Sequence, residues 1–272
     1  MPLHKGRRAA DIAGKNVVKL RLIGMVHLPA LPGSARAAMP MAQIIRRAVS
    51  EARQLADAGF DAVIVENFGD APFHADCVPA ETIAGMSVVV DHVVQAAQIS
   101  VGANVLRNDG AAGVAIAAAT GAAFIRVNVL SGVYATDQGF ITGRAAELLA
   151  RRAAAAPTLA IAADVHVKHA QPISQPDIAL AAEETAYRGG ADVLIVSGVA
   201  TGSPADLDQV RRVAKAVPDR PIWIGSGVTA ESVKDYLRIA DGVIVGTALK
   251  KGGKTTADLD SRRVREFVKA AR

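Results

Sequence analysis

Short β-branched runs alternate with longer helical stretches eight times along this chain, and that alternation limits the fold more than any other feature. The runs lie near 20–28 (LRLIGMVHL), 62–67 (AVIVEN), 99–106 (ISVGANVL) and 124–129 (FIRVNV), then near 159–167 (LAIAADVHV), 193–198 (VLIVSG), 221–227 (PIWIGSG) and 242–248 (GVIVGTA). Helical patterning fills 41–58, 79–97, 109–119, 143–155, 175–189, 205–216, 229–238 and 258–270. Right-handed crossovers return every strand in the same direction, so the sheet is parallel. Eight units fit the roughly 250 residues over which such a sheet closes. An open doubly wound sheet would carry phosphate-binding glycines after its first strand, where this chain has HLPALPGS. The expected fold is a single α/β domain, a (β/α)8 barrel over 18–272, behind a basic lead-in at 1–17 expected to be flexible.

Charge and composition narrow the function classes. Residues 1–21 carry six Lys/Arg against Asp11, and 250–272 carry eight against three acids, so the body, 22–249, holds 17 basic and 22 acidic residues. The overall charge of +5 thus belongs to the two ends, which argues against a nucleic-acid partner. One cysteine, Cys77, excludes an internal disulfide and fits a reducing, cytoplasmic setting. No stretch approaches the roughly 20 apolar residues of a membrane span, and the first residues lack the apolar core of a signal peptide. A homo-oligomer remains open.

The fifth strand is the most informative. In AADVHVKHA, Asp164, His166 and Lys168 alternate with Ala163, Val165 and Val167. Side chains alternate across a strand, and helices cover a barrel's outside, so the polar set is expected to point inward at the mouth. Glu66 ends the second strand, Asn104 the third, Arg126 and Asn128 the fourth, and His27 the first. The bland alternative is an Arg126–Asp164–Glu66 ion-pair network that merely fills the interior. The seventh strand ends in Gly225-Ser226-Gly227 and the eighth in Gly246-Thr247, where barrels commonly hold phosphate; Ser197-Gly198 after the sixth strand is a candidate third wall. Tight turns, with Thr229 as an N-cap, are the structural alternative. The long connections 67–78 and 130–142 lie on the same face, and the second is read as a substrate lid. Three segments, GFDAVIVENFG, GGADVLIVSGVATG and IADGVIVGTALKKGG, echo one another by setting an Asp before a buried strand.

Together GMVHLPALPG (24–33), DAVIVENFGD (61–70), GANVLRND (102–109), FIRVNV (124–129), DQG (137–139), ADVHVKHA (163–170) and GSGVT (225–229) resemble the BtpA family over roughly 20–250. The resemblance implies a barrel of the ribulose-phosphate-binding type and carries the label photosystem I biogenesis.

The leading expectation is an enzyme acting on a small phosphorylated metabolite. Gly225, Ser226, Gly227, Gly246 and Thr247 would hold the phosphate, and Asp164 or Glu66 would be the general base, with His166 as its acid–base partner. Lys168 would polarise a carbonyl or form a Schiff base, while His27, Asn104, Arg126 and Asn128 would bind hydroxyls or developing negative charge. No cofactor is required by the sequence. A divalent metal on His27, Glu66, Asp164 and His166 is a second reading, an FMN barrel a third, and a non-enzymatic assembly factor the reading from a different class.

Overall fold

The computed structural model describes Val17 and residues 19–272; apart from Val17, the lead-in lies outside the described residues. In chain order the first elements are β1 (Leu22–His27), α1 (Met41–Ala58), β2 (Ala62–Glu66), α2 (Ala80–Ala97), β3 (Ser100–Asn104), α3 (Gly110–Thr120) and β4 (Phe124–Val127). A hairpin of β5 (Val133–Thr136) and β6 (Gly139–Thr142) follows, then α4 (Ala145–Ala155), β7 (Ala160–Val165), β8 (Ala170–Pro172) and α5 (Ile178–Glu183), which continues as a π-turn over Glu184–Arg188. The chain finishes with β9 (Val193–Val196), α6 (Leu207–Ala216), β10 (Ile222–Ile224), α7 (Val233–Tyr236), β11 (Gly242–Val245) and α8 (Ser261–Ala271). Eight strands close as a parallel barrel in the order β1-β11-β10-β9-β7-β4-β3-β2. The expected (β/α)8 architecture is therefore correct.

Strand alternation divides the core into two. Outward residues such as Val63, Val65, Ile125, Ile161, Leu194 and Ile224 pack with Leu55, Met86, Ile116 and Phe267 of the surrounding helices. Inward residues, among them Ile23, Ile64, Phe124, Ile195, Trp223 and Ile244, form a separate cluster that also takes in Val17. Phe124 and Trp223 meet edge to face, their centroids 5.5 Å apart. This apolar plug fills the N-terminal half of the barrel, so polar inward residues collect at the strands' C-terminal ends.

The sequence echo has a physical cause. Asp61 accepts hydrogen bonds from the backbone N–H groups of Arg21 and Leu22, Asp192 from that of Ile161, and Asp241 from that of Ile222. Each carboxylate thus joins the start of its own strand to the start of a neighbour, covering donors that the barrel ladder leaves unpaired.

Two expectations need correction. The long connection 130–142, expected as a βα loop, is a hairpin: β5 and β6 pair antiparallel, and β8, from beyond β7, adds a third strand. A small sheet therefore stands over one side of the mouth. The helix expected over 229–238 shrinks to Val233–Tyr236, preceded by a turn in which Ser232 Oγ accepts from the Thr229 N–H.

Candidate active site

Four adjacent strands carry one polar residue each at the same register: His27 pairs with Glu66, Glu66 with Asn104, and Asn104 with Arg126. Because parallel register places these positions side by side, the four side chains form a polar arc across the mouth.

Arg126 and Asp164 form its floor. Arg126 Nε donates to Asp164 Oδ2 and Nη2 to Oδ1, both at 2.8 Å, with the two side chains 1% and 0% exposed. Ser197 Oγ donates to Asp164 Oδ1 at 3.2 Å, and Asn128 Nδ2 makes a longer contact of 3.4 Å with Oδ2. Asn104 Nδ2 in turn reaches the Arg126 carbonyl and Asn128 Oδ1. Burial alone would depress the Arg126 pKa, but Asp164's charge and hydrogen bonds raise it instead. Every lone-pair direction of Asp164 is thus engaged by protein, and Gly225 leaves room for the pair: a Cβ there would come within 2.4 Å of Ser197 Oγ and 3.4 Å of Arg126 Nη2.

Glu66 and Lys168 differ from that pair. Glu66 is buried, its carboxylate accepts no hydrogen bond among the described residues, and burial raises its pKa against the opposing pull of Lys168 and Arg126. Lys168 makes no salt bridge among the described residues, and burial, reinforced by Arg126, lowers its pKa. His27 Nε2 lies 3.8 Å from Glu66 Oε1. Burial and the cations Lys250, Lys168 and Arg126 hold the His27 pKa well below its ordinary value, so this contact joins a neutral imidazole to a carboxyl group and is not an ion pair. The ring leans on Phe68, with centroids 5.0 Å apart.

His166 does not join them. The strand ends at Val165, and His166 adopts a left-handed φ of 53°, which breaks the alternation that would have aimed it inward. Its Nε2 hydrogen-bonds the Gln175 carbonyl at 2.9 Å, and the ring packs edge-on against Tyr134 of the hairpin. It lines a separate outer cavity with Ser197 and Gly198. The expected metal set of His27, Glu66, Asp164 and His166 is therefore not assembled, and among the described residues no three His, Cys, Asp or Glu side chains cluster as metal ligands.

Met25, His27, Glu66, Arg126 and Lys168 line a cavity of about 170 Å3 together with Gly225–Thr229 and Gly246–Ala248. The Gly225 N–H is already donated to the Val196 carbonyl. Among the described residues, those of Ser226, Gly227 and Val228 have no protein acceptor, so the available donors sit one residue later than expected. Gly227 has φ of 69°, and a Cβ there would meet Pro204 backbone atoms at 2.4 Å. The close backbone approach that holds this turn open demands glycine. Thr201 and Gly202 line this cavity, whereas Ser197 and Gly198 do not: a Cβ on Gly198 would press on the Ser203 and Pro204 carbonyls, and Ser197 donates to Asp164.

Three residues escaped the sequence reading. Asn67, fully buried, donates to Asp70 Oδ2 and the Leu106 carbonyl and accepts from the Leu106 N–H, while Asp70 accepts from the Leu31 N–H. These contacts staple together the loops that follow β1, β2 and β3. Arg107 enters the mouth from the loop after β3. All three lie in the motifs ENFGD and LRND, yet no periodicity distinguishes a loop staple from a ligand.

A parallel barrel with an apolar plug, a buried ion pair as floor and a charged cavity at the strands' C-terminal ends defines this chain as a (β/α)8 protein. The chain belongs to the BtpA family, whose family model matches residues 18–272. It is 45% identical over 249 residues, 92% of this chain and 87% of its relative, to the photosystem I biogenesis protein BtpA of Synechocystis. Among solved structures it resembles N-(5'-phosphoribosyl)anthranilate isomerase from Pyrococcus furiosus, with TM-score 0.56, 16% identity, and 92% and 98% of the two chains covered. It also resembles orotidine 5'-monophosphate decarboxylase from Methanocaldococcus jannaschii, with TM-score 0.55, 13% identity, and 93% and 99% covered. At these identities the structural likeness establishes the fold alone.

Proposed function

We propose that this chain is an enzyme performing acid–base chemistry on a small phosphorylated metabolite, a sugar phosphate or a close relative. One observation carries the reading: Ser226, Gly227 and Val228, whose backbone N–H groups have no protein acceptor among the described residues, line the same cavity as Glu66 and Lys168. Backbone donors suit a phosphate, and among the described residues neither Glu66 nor Lys168 beside them is paired with an opposite charge. Thr247 and Ala248 supply the opposite rim. The barrel neighbours whose names denote enzymes of phosphorylated substrates agree with this choice.

Glu66 is the better candidate for general base or acid, because its carboxyl group faces the cavity while that of Asp164 is committed to Arg126. A raised pKa brings Glu66 closer to neutrality, where a carboxyl group exchanges protons most effectively. Lys168, with its lowered pKa, is suited to polarise a carbonyl or to add to one as a free amine. Asp164 is a positioning residue that fixes Arg126, and His166 lies outside the reacting site.

The test is a thermal-shift survey of sugar phosphates, run with and without divalent metal, against wild type and the Gly227→Ala variant. Stabilisation by a sugar phosphate, absent from the unphosphorylated sugar and lost in the variant, is the expected result. No stabilisation by any phosphorylated compound, together with a purified partner that binds the outer surface, would favour the assembly role that the Synechocystis relative's name denotes.

A further inference from the structure

Beyond Lys168 the mouth continues into a second cavity of about 480 Å3, which shares Glu66, Lys168 and Thr201 with the first. Its walls include Arg36, Phe68, Arg107, Asp137 and His169. Two arginines are buried among the described residues, and they are treated very differently. Arg126 has a carboxylate in bidentate contact. Arg107, 5% exposed, donates from Nη2 to the Lys168 carbonyl at 2.7 Å and forms no salt bridge among the described residues. Asp137, on the same wall, lies outside ion-pair distance of it and is bonded to its neighbour Gln138.

A buried guanidinium with no counter-ion is costly, and its planar fork matches an oxyanion in two parallel hydrogen bonds. Of the cations on this wall Arg36 is exposed and Lys168 is shared with the first cavity, so the buried Arg107 fork, with Asp137 nearby, is the group whose planar geometry fits a planar carboxylate. We infer that the ligand carries a carboxylate as well as its phosphate, and that Arg107 binds this carboxylate at the far end of the mouth. The ligand class is then a phosphorylated acid, laid from Ser226–Val228 to Arg107 with its middle carbons over Glu66 and Lys168. This rests on the phosphate reading only for the first of the two anchors.

The inference is tested by calorimetric titration with two six-carbon probes of matched length. 6-Phosphogluconate ends in a carboxylate, and glucitol 6-phosphate carries an alcohol there. Gluconate and inorganic phosphate serve as single-anchor controls. A hydrogen-bonded charge pair contributes enough to make 6-phosphogluconate bind about 10-fold or more tighter than glucitol 6-phosphate. In Arg107→Gln that preference should vanish while affinity for glucitol 6-phosphate and inorganic phosphate holds; in Arg107→Lys it should be only partly kept.

Equal binding of the matched pair by wild type overturns the inference, and so does an equal loss of both in Arg107→Gln. The wild-type comparison decides alone should that variant fail to fold. If inorganic phosphate and glucitol 6-phosphate do not bind, yet gluconate binds and needs Arg107, the phosphate reading falls and the carboxylate site stands.

Discussion

Replacing Asp164 by Asn separates a structural ion-pair partner from a catalytic base. The side chains of Asp164 and Arg126 are 0% and 1% exposed and meet through two 2.8 Å hydrogen bonds. The variant keeps the shape but removes the charge that compensates Arg126 and turns one acceptor into a donor facing a donor. Breaking one side of such a pair costs about 3–5 kcal/mol. With an unfolding entropy of about 2.1 cal/mol/K per residue, a chain of 272 residues loses roughly 2 °C of Tm per kcal/mol, so the expected drop is about 5–9 °C. Differential scanning calorimetry measures it. Arg126→Met combined with Asp164→Leu should recover most of the loss, because no unpaired charge then remains in the interior. An unchanged or raised Tm in Asp164→Asn would refute the reasoning and return Asp164 to the role of catalytic base.

Glu66→Gln should lower turnover of the eventual substrate by about 10²-fold or more while leaving Tm at neutral pH unchanged or raised, since burial disfavours the charged form of the native side chain. The raised Glu66 pKa means that the folded protein holds this proton more tightly than the unfolded chain. Wild-type stability should therefore fall as pH rises from the ordinary carboxylate range to the folded value, a slope that Glu66→Gln lacks in denaturant titrations. His27 gives the opposite slope: the unfolded chain takes up its proton first, so stability is lost as pH drops below about 6.5, and His27→Gln should flatten that limb. Gly227→Ala should abolish phosphate-dependent stabilisation measured by thermal shift, because relief of the contact with Pro204 moves the donors.

The barrel was legible because its signal is repeated. Eight apolar runs at regular spacing each report the same buried sheet, and an error at one boundary leaves the others intact. The inward set at Glu66, Asn104, Arg126 and Asp164 was legible for the same reason, as each lies within an alternating strand. Legibility stopped where the strand stopped. His166 lies one residue past the end of β7, and its left-handed φ cancels the two-residue rule that predicted its direction. Lys168 faces the mouth, but through the loop that leads to β8 and not through strand alternation. The hairpin was missed because its strands are mostly unburied, with one buried residue each, Tyr134 and Ile141, so no apolar run marks them. Asn67 and Arg107 escaped because they lie in the loops after β2 and β3, which meet through a contact 39 residues apart in sequence between Asn67 and Leu106.

The excess charge of the whole chain lies at its ends and says nothing of the mouth, whose own balance follows from the pairing inside it. Asp164 is the acid that would neutralise this face, and its charge is spent on Arg126. His27 is neutral, and Glu66 is held toward its protonated form by burial. Lys168 and Arg107 have no carboxylate in salt-bridge contact among the described residues, and they lie at the junction of two cavities and in the second of them. A body with more acidic than basic residues thus gathers cations at its mouth, a field that would favour the anionic ligand proposed above. The buried Arg126–Asp164 pair stabilises little in itself, since it gains about as much as burial costs. By occupying Asp164 and fixing Arg126 as an immobile floor, it leaves the charges above it free for a ligand.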